Sequence, residues 1–254
     1  MRHVLFPLRL LYTIYTAALF LSFLLIFFPL VVIASFFGKI NGGNFILRIC
    51  RLWTDLQLPL CGIFHRNLYE VPHDVNKQYI FVANHISYMD IPIMLQAVHD
   101  QNFRILGKYE ISKVPLFGLL YKYVVVLVDR SSASKRATSV KQLKSVINKK
   151  ISVLLCPEGT FNETHKPLKD FYDGAFKIAI ETQTPIKPIL FLDTYDILNY
   201  NSMLSLTPGR SRAVYLEEIP VEGLTIEDTG ALRDKIHAIM EDRLIFYKAS
   251  WIIN

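Results

Sequence analysis

A histidine and an aspartate five positions apart, His85 and Asp90, are the residues of this chain best suited to moving a proton. An imidazole takes up a proton near neutral pH. A carboxylate on its other ring nitrogen fixes the tautomer and stabilises the imidazolium. In an unbroken helix five residues turn through about 500°, which points the two side chains apart. They meet only if His85 lies before the helix starts, and the local pattern has that form. Gln78 to Ala83 is an apolar run that reads as a buried strand stopping at Asn84-His85. From Ser87 a helical spacing begins, with Ile91, Met94, Leu95 and Val98. The same letters also suit a plain helix start, with Ser87 as N-cap and Asp90 near the positive end. Alone, His-x-x-x-x-Asp does not separate these readings.

The elements that must position the pair follow from length and composition. At 254 residues the chain suits one large α/β domain. Its hydrophobic share of 52% exceeds that of an ordinary soluble domain and calls for a membrane segment. That segment is N-terminal: Leu10 to Gly38 carries no charge, with Arg2 and Arg9 before it and Lys39 after. As one helix it would reach about 43 Å, more than the ~30 Å hydrocarbon core needs and longer than a signal peptide's apolar region. Pro29 divides it, so one kinked span and a pair of short re-entrant helices are both compatible. Basic residues at both ends leave orientation open. The net charge of +6 points to an anionic surface or ligand. Cys50, Cys61 and Cys156 lack metal-ligand spacing, so free thiols and no metal are expected.

Asn44 to Leu60 reads as a helix with Trp53 and Leu56 inward, and Arg66 to Val71 as an edge strand. His65 and His73 read as surface or loop residues. Further strands are expected at Phe103–Gly107, Val124–Val128, Ile151–Cys156, Thr184–Phe191 and Arg212–Ile219. Helices are expected over Ser134–Lys150, from Phe171 to about Thr182, and over Ile226–Lys248 with a weak break at Gly230. Three strand ends carry chemistry. Lys108 either points into the cleft of His85 or is a solvated loop lysine. Arg130 has a fork that matches an anion, and a salt bridge to Asp129 explains it nearly as well. Pro157-Glu-Gly-Thr160 puts a glycine where backbone N–H groups could face an oxyanion or phosphate. Cys156 lies in an apolar strand and reads as a core residue. The lysines and Arg136 of the 134–150 helix are a solvated face or a contact for anionic lipid or coenzyme phosphates. They lack the aromatic interleaving of a nucleic-acid site.

Taken together, four blocks resemble those of glycerolipid acyltransferases and stand in that family's order. They are Asn84-His-Ile-Ser-Tyr-Met-Asp90, Asp129-Arg130, Pro157-Glu-Gly-Thr160 and Thr184-Pro-Ile-Lys-Pro188. The chain looks most like the bacterial 1-acyl-sn-glycerol-3-phosphate acyltransferase branch, over about residues 66–247; Phe171-Tyr-Asp-Gly-Ala-Phe176 and Gly107-Lys108 also fit it. The resemblance implies a single mixed, largely parallel sheet flanked by helices, with an N-terminal apolar membrane helix or helix pair. It implies a membrane-anchoring segment over 1–39, a connecting helix over 40–65 and an acyltransferase domain over 66–254. The implied reaction moves an acyl chain from acyl-CoA or acyl-carrier protein to the sn-2 hydroxyl of a lysophosphatidate, without cofactor or metal. In it His85 is the general base of the His-x4-Asp block, and Asp90 orients its ring. Arg130 holds the acceptor's phosphate. Glu158, Gly159 and Thr160 shape the acceptor site, and Lys108 stabilises the oxyanion. The implied setting is the bacterial inner membrane, with the site on the cytoplasmic side and no nucleic-acid partner.

Two departures from the family's pattern concern the acceptor. The glycine usual before the second block's apolar run is replaced in Tyr123-Val-Val-Val126, and Phe161 stands where the third block usually ends in arginine. Other acceptors therefore stay open: another lysolipid or an acylated amino-acid lipid. So do a membrane-anchored hydrolase using Ser87 or Cys156, and an inactive lipid-binding relative.

Overall fold

The computed structural model describes residues 2–129 and 132–252. The chain begins with one continuous helix, α1 (Arg2–Ser35), that runs through Pro29. A π-turn at Gly38–Gly42 then reverses it into α2 (Gly43–Leu60). Strand β1 (Ile63–Tyr69) leads to β2 (Ile80–Ala83), α3 (Asp90–Ala97) and β3 (Phe103–Lys108). Next come α4 (Phe117–Val124), β4 (Val125–Val128), α5 (Ala133–Ile147), β5 (Ser152–Leu155), α6 (Gly174–Thr182) and β6 (Ile186–Phe191). The chain closes with a short α7 (Thr194–Ile197), β7 (Gly209–Tyr215) and α8 (Thr229–Phe246).

The strands form one seven-stranded sheet in the order β1-β7-β6-β2-β5-β3-β4. Neighbours run parallel except β6 with β7. A central parallel sheet is covered on both faces, so its strands are apolar throughout rather than alternating. In β2 all four residues are buried. Phe81 and Ala83 face a core shared with α1–α4, while Ile80 and Val82 face one shared with α5, α6 and α8. The result is three layers, with β1 at an edge as the sequence suggests.

The N-terminal hairpin belongs to the first of these layers. Leu24, Phe27, Val31 and Ala34 of α1 are buried in the same core as Trp53 of α2 and Phe81 of β2. Both ends of α1 are tied to the body. Tyr12 Oη donates to Cys61 O at 2.5 Å, and Tyr123 Oη donates to Ser35 O at 3.0 Å. The buried Arg104 of β3 holds the hairpin's turn, donating to Asn44 Oδ1 at 2.9 Å.

Several elements differ from the sequence-based expectation. Leu56 is exposed rather than inward, because the buried side of α2 carries Ile46, Cys50 and Trp53. Helix α8 starts only at Thr229, after a 3-10 turn at Ile226–Asp228, so Gly230 lies in its first turn; the α4 helix has no counterpart in the expected pattern. His65 and His73 are not plain surface residues. His65 bonds Ser211 and Asn67, and the ring of His73 packs among Tyr69, Tyr79 and Tyr215.

Candidate functional site

Adjacent strands β2 and β5 end side by side, and the segments leaving them pass to opposite faces of the sheet, to α3 and α6. Such a divergence opens a crevice at the carboxyl ends of the strands. His85 lies at its lip, two residues after β2 and before the first residue of α3, which is Asp90.

Because His85 stands outside the helix, the two side chains meet. His85 Nδ1–H donates to Asp90 Oδ2 at 2.7 Å. The same oxygen accepts from the backbone N–H groups of Ile86 (2.8 Å) and Ser87 (2.9 Å). The carboxylate is fully buried and satisfies the donors of the turn that precedes its own helix. Its position fixes the imidazole with Nδ1 protonated, leaving Nε2 as the basic nitrogen. The His85 side chain is 21% exposed, so the ring is open in part to the crevice.

Two contacts from the segment after β5 clamp the His85 backbone. Glu158 Oε1 accepts from His85 N at 2.8 Å, and Asn162 N donates to His85 O at 2.8 Å. Glu158 Oε2 accepts from Lys169 N at 3.0 Å. Burial raises the Glu158 carboxyl to about 7, against the opposing pull of those two N–H donors and of His85. Gly159 adopts a φ of +75°, which a side chain would strain, and this turns the chain from Glu158 toward Thr160. Thr160 is exposed, and its Oγ1 lies 2.6 Å from Lys169 Nζ. Phe161 presents its ring to His85 at 61°, with centroids 4.4 Å apart, and Tyr88 packs on it nearly edge-on at 4.7 Å.

Lys108 is the last residue of β3 and exposed; β5 separates its strand from β2, and it makes no hydrogen bond or ion pair with His85 or Asp90. Arg130 lies outside the described residues. Ser87 does not stand at the helix terminus itself but one turn earlier. Its hydroxyl is fully buried, donating to Leu198 O and accepting from Met89 N, which leaves no free nucleophile. Burial pushes the Cys156 thiol well above its ordinary value, with Asp90 and Glu158 adding to the shift. A thiol so disfavoured from ionising is a poor nucleophile.

Two residues at the site escape a reading from spacing alone. Asn84 reaches across to β6, donating to Phe191 O and accepting from Phe191 N, which locks the end of β2 in register. Lys169 is the other. Only the basic character of a loop near the third block could have drawn attention to it.

A cavity of about 530 Å³ lies on the α3 side of the dyad, lined by Tyr88, Met89 and Ile91 but by neither His85 nor Asp90. It extends between α3 and the N-terminal hairpin, where Thr16, Phe20 and Trp53 line it, and reaches Phe117 and Leu120 of α4. Its walls are almost wholly apolar.

A buried carboxylate holding an imidazole at the carboxyl end of a parallel sheet, beside a long apolar recess, is a proton-accepting site next to room for a hydrocarbon chain. The sequence pattern of the acyltransferase family matches residues 62–192, and the chain belongs to that family. It is 31% identical over 171 residues to a 1-acyl-sn-glycerol-3-phosphate acyltransferase of Cocos nucifera, an alignment covering 66% of this chain and 54% of that protein. It is 29% identical over 190 residues to a putative 1-acyl-sn-glycerol-3-phosphate acyltransferase of Caenorhabditis elegans, covering 74% and 64%. The chain thus spans between half and two thirds of the length of these relatives. The fold is that of the 1-acyl-sn-glycerophosphate acyltransferase PlsC of Thermotoga maritima, with a TM-score of 0.76 over 100% of both chains at 22% identity.

Proposed function

We propose that the protein transfers an acyl chain from an acyl-CoA or acyl-carrier-protein thioester to the sn-2 hydroxyl of 1-acyl-sn-glycerol-3-phosphate. The observation that carries this reading is the His85–Asp90 dyad opening beside an apolar cavity roofed by the N-terminal helix. His85 Nε2 takes the acceptor's hydroxyl proton as that oxygen attacks the thioester carbonyl. The tetrahedral intermediate collapses with loss of the thiolate, which leaves with the proton held by the imidazolium. Asp90 stabilises the imidazolium between these steps. A thioester is already activated, so no enzyme nucleophile is required. This suits the buried Ser87 and the Cys156 thiol, which resists ionising, and disfavours a hydrolase that would use either. Glu158 and Gly159 shape the acceptor side by holding the two strand-end loops together. Lys108 is assigned to the oxyanion and Arg130 to the acceptor's phosphate, both on the strength of the family's blocks. Residues 66–254 carry the chemistry, while residues 1–39 and the helix of the 40–65 segment serve the membrane.

The test is product analysis with a labelled thioester and a panel of lysolipids, using the detergent-held protein. Label appearing in phosphatidate, at a rate above that for neutral or amino-acid lysolipids, is the expected result. Release of free fatty acid independent of acceptor would refute acyl transfer.

Helix α1 is long and apolar enough to cross a bilayer, yet it lies against the domain at both ends. We place it, with α2, in the plane of the cytoplasmic leaflet of a bacterial inner membrane, on the side where soluble thioester donors are found. The outward residues Leu11, Leu25, Ile26 and Ile33 of α1 and Leu52 and Leu56 of α2 are then immersed among acyl chains. Replacing Leu25 and Ile26 by glutamate should release the protein from salt-washed membranes with its circular dichroism unchanged. Each charge forced into hydrocarbon costs up to ~3 kcal/mol, and two are worth up to about four orders of magnitude in partitioning. A double variant that stays in the membrane pellet would show that another surface anchors the protein.

A further inference from the structure

Phe161 turns its ring against His85, so this position supplies no charge to an acceptor. A cation lies against the backbone of the same loop, supplied from eight residues further on. Lys169 Nζ lies 2.6 Å from Thr160 Oγ1 and 3.5 Å from Phe161 O. Its backbone N–H is held by Glu158 Oε2, while the partner oxygen of that carboxylate holds His85 N. One buried carboxylate therefore fixes the base and the lysine in a common frame. Among the described residues no carboxylate lies within ion-pair distance of this ammonium. An ammonium has three donors, and a hydroxyl and one long carbonyl contact leave it able to bond a ligand.

We propose that Lys169, with the Thr160 hydroxyl, binds the anionic headgroup of the acceptor and makes the enzyme select a phosphate-bearing lysolipid over a neutral one. The inference rests on the acyltransferase reading and names a specificity residue within it. A compact ammonium pairs with phosphate oxygens as a point charge, and the threonine hydroxyl adds a donor at the same spot. The ammonium sits on the loop whose Phe161 touches the base, so it anchors the end of the acceptor next to the attacking hydroxyl.

The experiment compares the full-length protein with its Lys169→Met and Lys169→Arg variants. Both substitutions keep the backbone bond to Glu158. The acceptors are 1-acylglycerol-3-phosphate and 1-monoacylglycerol with the same acyl chain, and equilibrium binding of the phosphate lipid is measured without donor. A lost hydrogen bond to a charged group is worth ~10- to 150-fold. Lys169→Met should lower the phosphate-to-neutral ratio of kcat/KM by about that factor, through the acceptor's KM, and weaken phosphate-lipid binding to match. The KM for the thioester should stay constant, and Lys169→Arg should restore most of the ratio. If Lys169→Met slows both acceptors equally and leaves binding unchanged, the lysine only ties the loop and the inference is overturned. If the wild type acylates neither acceptor yet binds the phosphate lipid through Lys169, the headgroup site stands and the acyltransferase reading falls.

Discussion

His85→Ala should lower acyl transfer by ~10²–10⁴, the usual worth of a positioned base, with the loss in kcat. The fold should persist. The ring is partly exposed, and Asp90 Oδ2 keeps two backbone donors when the imidazole is gone. Asp90→Asn should cost a similar factor for a different reason. The amide oxygen can still accept from Ile86 N and Ser87 N, so the turn survives, but the charge that stabilises the imidazolium is removed. The amide also brings an NH₂ group to the place of Oδ1, which is buried and has no partner among the described residues. Steady-state rates beside circular dichroism separate these outcomes. A folded His85→Ala protein retaining more than a tenth of wild-type kcat would remove His85 from the mechanism.

The second large effect falls on stability and its pH dependence, at Glu158. Glu158→Ala takes the acceptor from two partly buried backbone donors, His85 N and Lys169 N. At up to ~1–3 kcal/mol for each, the loss is at most on the order of 2–6 kcal/mol. The loss should itself vary with pH. In the folded protein this carboxyl titrates near 7 instead of its ordinary 4.5, so folding favours its protonated form. The stability this contributes is fully present below pH 4.5 and declines as pH rises to about 7, beyond which it is constant. A shift of that size corresponds to about 3 kcal/mol. Wild type should therefore exceed Glu158→Ala by a margin about 2–3 kcal/mol larger at pH 5 than at pH 8, read by denaturant unfolding in detergent. A margin independent of pH would mean that Glu158 is ionised in the fold at both values. Activity should fall as well, since the backbone of the base loses one of its two clamps.

Much of the local structure was legible in the sequence. The apolar run before His85 and the helical spacing after Ser87 placed the histidine outside the helix and the aspartate inside it, and the dyad has that geometry. Strand and helix are set by neighbours a few residues away, so period and turn residues record them. The apolar run leading to Cys156 was likewise a local property, although the thiol lies one residue past β5 and is only partly buried. The fate of Leu56 was not. Apolar residues that face a core and those that face outward on a membrane-bound surface are the same residue types, and periodicity cannot distinguish them.

What the sequence by itself determined, then, are the strands, most of the helices and the position of His85 at a strand end. Tertiary structure decided which strand ends meet. β5 inserts between β2 and β3, and this brings Glu158 to the backbone of His85 across 73 residues of chain. It also folded α1 onto the domain as a wall of the apolar cavity, where an uncharged segment read alone suggested a separable anchor. Lys169 reached the site through the same loop closure. These juxtapositions depend on how two apolar faces of a sheet are covered by helices distant in sequence. That choice is made by the packing of the whole core, and no stretch of neighbouring residues encodes it.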